Sequence, residues 1–169
     1  YLFRKLMEND SFKYVFINTY CDLLNTILKP ENLLNHLDSI TNNIINLIPM
    51  HQERWNIQWG GGCCWGEGSA LNFEDNISAI QDFSNYRESY ARIHIQNQFD
   101  LPNIAQTSLN IVPEGAGSIQ FNTLKIIESG WNGYYFPTIP IEARAIPNEG
   151  FQFSSWLEFP DSNATILVQ

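Results

Sequence analysis

The sequence predicts an α+β fold: a helical subdomain of about four helices followed by a small, mainly antiparallel β domain. Apolar residues recur every three or four positions as far as about Gln98, and after Asp100, Leu101 and Pro102 the period becomes alternating. The alternating segments are separated by EGAG, SGWNG and PNEG, glycine-bearing stretches that supply the positive φ angles of tight turns. The division is placed at residue 102, with 1–102 helical and 103–169 β-rich.

The first long helix is expected from Ser11 to Leu28, with Phe12, Val15, Phe16, Tyr20, Leu23, Leu24 and Ile27 on its apolar face and Asp10 or Ser11 as N-cap. Lys29 and Pro30 end it, because proline cannot continue the hydrogen-bond ladder and restricts the residue before it. Pro30 suits the first turn of a second helix, whose stripe of Leu33, Leu34, Leu37, Ile40, Ile44 and Leu47 runs to Pro49. The short connection implies an antiparallel pair, and Met50 to Trp55 reads as a short helical turn. Ile77, Ile80, Phe83, Tyr86, Tyr90 and Ile93 give one or two further helices, with Asn85 and Tyr86 as the position of a kink.

In the second part TSLNIV, SIQFNTL, PIEARAI and FQFSSWL read as strands, and a last strand, ATILVQ, reaches the final residue without a turn, which leaves room for one more. Trp131, Tyr134, Tyr135, Phe136, Phe151, Phe153 and Trp156 alternate so that some face inward and some outward, and most are expected in the core, since about 65 residues need large side chains to fold.

The 169 residues are 44% hydrophobic and 16% charged, with a formal charge of −9; this is too apolar for a disordered chain. Residues 1–102 carry 7 basic and 12 acidic side chains and residues 103–169 carry 2 and 6, so neither part offers the basic footprint that nucleic acid requires. Anionic membrane surfaces are disfavoured by the same charge. No apolar run approaches the length of a membrane span, and YLFRKLMEND lacks the architecture of a signal peptide.

Few residues carry recognisable chemistry. Cys21, Cys63 and Cys64 lack the paired spacing of a zinc site; a bridge from Cys21 to one of the adjacent pair and three free thiols are both compatible with the spacing. His36, His51 and His94 show no ligand spacing and read as structural, as does Arg54 anchoring a carboxylate. WGGGCCWG lacks the lysine and hydroxyl residue of a phosphate-cradling loop. Glu74 and Asp75 suit a helix N-terminus better than an opposed pair of catalytic carboxylates. The remaining candidates for a ligand or partner surface are exposed aromatics: Trp59 and Trp65 in the glycine loop, and Trp131 and Tyr134 in the β part.

LFRKLMENDSFKYVFINTYCDLLNT, followed by a second helix and then Pro49, His51 and the pair Arg54 and Trp55, resembles the end of a CotH-type kinase domain. SAIQDFSNYRESYARIHIQNQF is similar to that family's closing helix. The β part resembles the module that often follows, through Gly115, Gly117, Asn122, Thr123, Trp131, Gly133, Tyr135, Phe136, Pro140, Ile141, Gly150, Phe151, Phe153 and Trp156, and is similar in spacing to internalin B-repeats of bacterial surface proteins. The family's Trp-Asp-x-Asp motif has no match here, and the loop from Trp59 to Gly68 departs from the family.

The resemblance implies a C-terminal, non-catalytic part of a secreted or surface-displayed bacterial protein, with no catalytic, metal or cofactor residue in this chain. It implies ATP and magnesium for the parent, and the preceding part of the kinase-like domain as a packing partner. Dimerisation through exposed apolar surface is a further expectation. The competing expectation is an adhesion module for a cell-wall glycan or a surface protein.

Overall fold

The computed structural model describes residues 1–55, 73–160 and 163–168. Helices α1 (Leu2–Leu6), α2 (Asp10–Leu24), α3 (Pro30–Ile44), α4 (Ile48–Trp55) and α5 (Phe73–Phe99) come first, with a 3₁₀ turn at Ile45–Leu47. Strands β1 (Ala105–Leu109), β2 (Gly117–Phe121), β3 (Leu124–Ile126), β4 (Trp131–Tyr135), β5 (Ile141–Pro147) and β6 (Thr165–Val168) follow. The fold is α+β.

Local chemistry sets the helix limits. The Asn9 side chain accepts the Phe12 N–H at 3.0 Å and caps α2 one residue before the expected positions. Pro30 occupies the first turn of α3, as its missing N–H allows. α2 stops at Leu24, short of Leu28, where Asn25 turns its side chain to other partners. α5 runs as one helix through Asn85 and Tyr86.

The strands form two antiparallel sheets. β1 pairs β4, with Ala105 opposite Tyr135 and Leu109 opposite Trp131, while the second sheet has the order β3-β2-β5-β6. Asn122 and Thr123 make the two-residue turn from β2 to β3, with Asn122 at φ 47°, a left-handed conformation that asparagine tolerates. Two readings from alternation are corrected. The WNG stretch expected in a turn is the start of β4, and Phe151 to Leu157, expected as a strand, has no ladder partner. Both edges of β5 are already taken, by β2 and β6.

Two compact units share the chain. One joins residues 1–26 to residues 92–169, and the other is Ile27–Ala91. In the first, Ile17 and Cys21 of α2 and Ile95 of α5 pack with Phe121, Tyr135, Phe136, Ile139 and Ile141 of the β part in one core. Phe16 extends it, 5.4 Å from the Phe3 ring and 6.4 Å from that of Phe99. In the second unit α3 has no fully buried residue: Ile40 and Leu47 of the expected stripe are exposed and Leu33, Leu34 and Leu37 are half-buried.

Candidate functional site

The inward face of α2 overlaps only part of the stripe that hydrophobic periodicity selects: Leu24 is buried and Phe16 and Tyr20 pack on the core. Val15 and Ile27 are exposed, while Ile17, Asn18, Cys21, Asp22, Leu24 and Asn25 are buried. Asn18, Asp22 and Asn25 recur at four and three residues, so they share one helical face. Each meets a different part of the β module. Asn18 Nδ2 donates to the Pro140 carbonyl at 2.9 Å, and Asn25 Nδ2 to the Tyr134 carbonyl at 3.1 Å.

Asp22, only 1% exposed, carries the largest share. Its Oδ2 accepts Asn122 Nδ2 at 2.6 Å, the Thr123 N–H at 3.1 Å and Thr123 Oγ1 at 2.5 Å, while Oδ1 accepts the Tyr135 hydroxyl at 2.6 Å. Four donors around one carboxylate are charge-assisted bonds, which offset the cost of burying it. Burial pushes the Tyr135 hydroxyl well above the ordinary phenol range, and its bond to Asp22 adds to the rise. Beside it the Cys21 thiol is free and buried, and desolvation pushes it up to about 12, against a lowering pull from Arg92. It packs in the core cluster with Ile17 and Tyr135.

A second clamp surrounds Tyr134. Arg92 donates from one nitrogen to the Tyr134 carbonyl at 3.0 Å and from the other to Asn25 Oδ1 at 2.8 Å, and Asn25 Oδ1 also accepts the Tyr134 N–H at 2.9 Å. The Arg92 guanidinium lies 5.7 Å from the Tyr134 ring centre. Thus α2, the end of α5 and β4 are joined by polar groups at a strand edge that would otherwise present unpaired backbone.

The candidate aromatics of β4 are divided by strand alternation. Trp131 faces inward and packs on Phe121 and Tyr135, at 6.2 Å and 6.4 Å between ring centres. Its ring lies over Gly133, where an added Cβ would overlap it and meet Asn25 Nδ2 at 3.0 Å. Tyr134 faces the opposite side of the strand and is 42% exposed, so the two rings do not share a surface. Trp59, Trp65, Cys63 and Cys64 lie outside the described residues. His36, His51 and His94 are exposed, and Glu74 and Asp75 occupy the first turn of α5.

A model of the CotH kinase protein family matches residues 1–91, just over half of the 169. This chain belongs to the CotH kinase protein family. No curated protein and no solved structure matches it. The CotH match contains Asn18, Asp22 and Asn25 and stops one residue before Arg92, so the clamp is built from both sides of the family boundary. A CotH kinase would hold magnesium and nucleotide through carboxylates. Among the described residues, Asp22 is committed to four protein donors, and no three His, Cys, Asp or Glu residues come together as a metal site.

Sequence reasoning missed Asp22, Asn25 and Arg92 because it sought apolar residues on the inward helical face. The available signal was the Asn-Asp-Asn spacing itself, three short polar side chains at 18, 22 and 25 on one side of a helix otherwise rich in apolar residues.

Proposed function

We propose that this chain is the non-catalytic C-terminal part of a secreted or cell-surface CotH-like protein, and that its role is to hold a β module firmly against α2, a helix of the CotH match. The observation that carries this reading is the commitment of Asn18, Asp22 and Asn25, all inside the CotH match, to partners in the β module. A carboxylate enclosed in this way supports the fold and leaves magnesium and phosphate to residues elsewhere. On this reading the parent transfers phosphate from ATP, and the β module is akin to the repeats of bacterial surface proteins.

Calorimetric titration of the 169-residue chain with Mg-ATP tests it. No binding heat is expected; saturable binding at submillimolar nucleotide would overturn the non-catalytic assignment. The exposed rings of Phe83, Tyr86 and Tyr90 on α5 support pairing through that face, and a strict monomer in light scattering at high concentration counts against it.

A second reading, a surface module that recognises a glycan or protein through exposed aromatic rings, is favoured by the exposed Tyr134 ring held in place by Arg92. Replacing Tyr134 with alanine would then abolish adhesion while leaving the fold intact.

A further inference from the structure

The β module carries a groove of about 170 Å³ between the turn after β1, the facing ends of β2 and β5, and the segment from Phe151 to Trp156 that has no place in the sheet. Its walls are held by short bonds. The Ala116 N–H donates to the Pro113 carbonyl at 3.1 Å, the Asn148 N–H to the Ala116 carbonyl at 2.9 Å, and Asn148 Nδ2 to the Gly115 carbonyl at 2.9 Å. The Phe151 N–H closes the second turn on the Asn148 carbonyl at 3.0 Å. Trp156 donates its indole N–H to the Asn163 carbonyl at 3.0 Å and sits 5.6 Å from the Phe153 ring, which fixes both rings before any ligand arrives.

The lining combines two kinds of surface. Phe151, Phe153 and Trp156 offer aromatic faces, and Asn110, Ser118 and Gln152 offer neutral donors and acceptors. None of the 17 described residues that line it is charged, although charged residues make up 16% of the chain, so the groove suits a ligand with no charge to pair. Glu114 and Glu149, exposed on the two rim turns, add a field that repels anions. An uncharged ligand with an apolar face and a ring of hydroxyl or amide groups matches aromatic walls interleaved with neutral polar side chains.

We propose that this groove binds a ring of a neutral oligosaccharide, stacked on Phe151 and Trp156 and hydrogen-bonded through Gln152 and Ser118. The site is separate from Trp131 and Tyr134, and its existence does not depend on whether the parent is a kinase. Weak, side-specific binding follows from a shallow groove that covers one ring, with dissociation constants on the order of 1 mM.

The test is a nuclear magnetic resonance titration of the full chain, following the indole N–H of Trp156, assigned as the signal lost in Trp156→Phe. The probes are the β-1,4-linked tetramer of N-acetylglucosamine, the corresponding glucose tetramer, the deacetylated cationic tetramer and a galacturonate tetramer. At least one neutral tetramer is expected to shift the Trp156 signal saturably, with the anionic galacturonate tetramer weakest. Phe151→Ala, an exposed rim position, should weaken that binding about tenfold with an unchanged thermal midpoint, and Gln152→Ala should weaken it less. Absence of a shift with both neutral tetramers at about 10 mM would overturn the proposal. So would stronger binding of a charged tetramer, binding unaffected by Phe151→Ala, or a response only to an uncharged apolar peptide, which would make the groove a peptide site.

Discussion

The Tyr135 hydroxyl donates to Asp22 Oδ1 at 2.6 Å, linking β4 to α2 across 113 residues of sequence. The other carboxylate oxygen gathers the whole Asn122 and Thr123 turn, so one side chain fixes both the strand and the hairpin relative to the helix. Because the carboxylate is buried, its value lies in the completeness of its partners more than in its charge.

Replacing Asp22 with alanine should therefore cost about 3 kcal/mol, because it leaves the buried Tyr135 hydroxyl and the part-buried Asn122 and Thr123 donors without their acceptor. Asp22→Asn should cost clearly less, roughly 1 to 2 kcal/mol. The amide oxygen can keep the three donors of the turn, and the amide nitrogen can donate to a rotated Tyr135 hydroxyl. Urea unfolding of both variants checks the order; equal losses would mean that the charge, not the donor pattern, decides.

Stability should fall in alkali. The folded chain holds the Cys21 proton to about 12 against an ordinary value of 9.0, so the thiol's contribution is intact below pH 9 and is lost as pH rises towards 12. The slope is about 1.4 kcal/mol per pH unit. Tyr135, also raised, adds its own loss from pH 10 upward. Denaturant midpoints of the native chain and of Cys21→Ala at pH 8, 9 and 10 should diverge in slope, with the variant falling less steeply between about 9 and 10.

The Tyr134 amide, bonded to Asn25 Oδ1 and not to a neighbouring strand, should exchange slowly in the native chain. Asn25→Ala should raise its exchange rate at least about tenfold while the amides of β2 keep their protection. Arg92→Ala, which leaves Asn25 to hold the strand edge alone, should destabilise by about 1.5 to 3 kcal/mol.

Gly133→Ala should destabilise by about 1 to 3 kcal/mol, since the new methyl displaces the Trp131 ring from its contact with Phe121. Loss of the near-ultraviolet signal of the packed indole, beside a lowered midpoint in urea, is the expected outcome. An unchanged spectrum would show that the ring yields without leaving the core.

Where the sequence spoke through proline, glycine and periodicity it was legible. Pro30 marks the start of α3, and the change of period after Pro102 marks the first sheet. Phe151 to Trp156 alternates as a strand does, yet alternation reports only the wish to bury one face, and the strand slots beside β5 were filled by residues distant in sequence. In α2 part of the inward face was hidden because three of its positions are polar, and short polar side chains read as solvent-facing until their partners are known. Arg92 was hidden for the same reason, its partners lying 42 and 67 residues away.

The family match stops at residue 91, inside a helix that continues to Phe99. Recombination at that point would deliver to a new host a β module stripped of the side chains that complete its hairpin turn and strand edge. A transplant that works has to carry Asn18, Asp22 and Asn25 along with Arg92, which lie in two separate stretches of the sequence. Substitutions in α2 and in the β module are therefore expected to arise in matched pairs, making the two segments a single heritable piece.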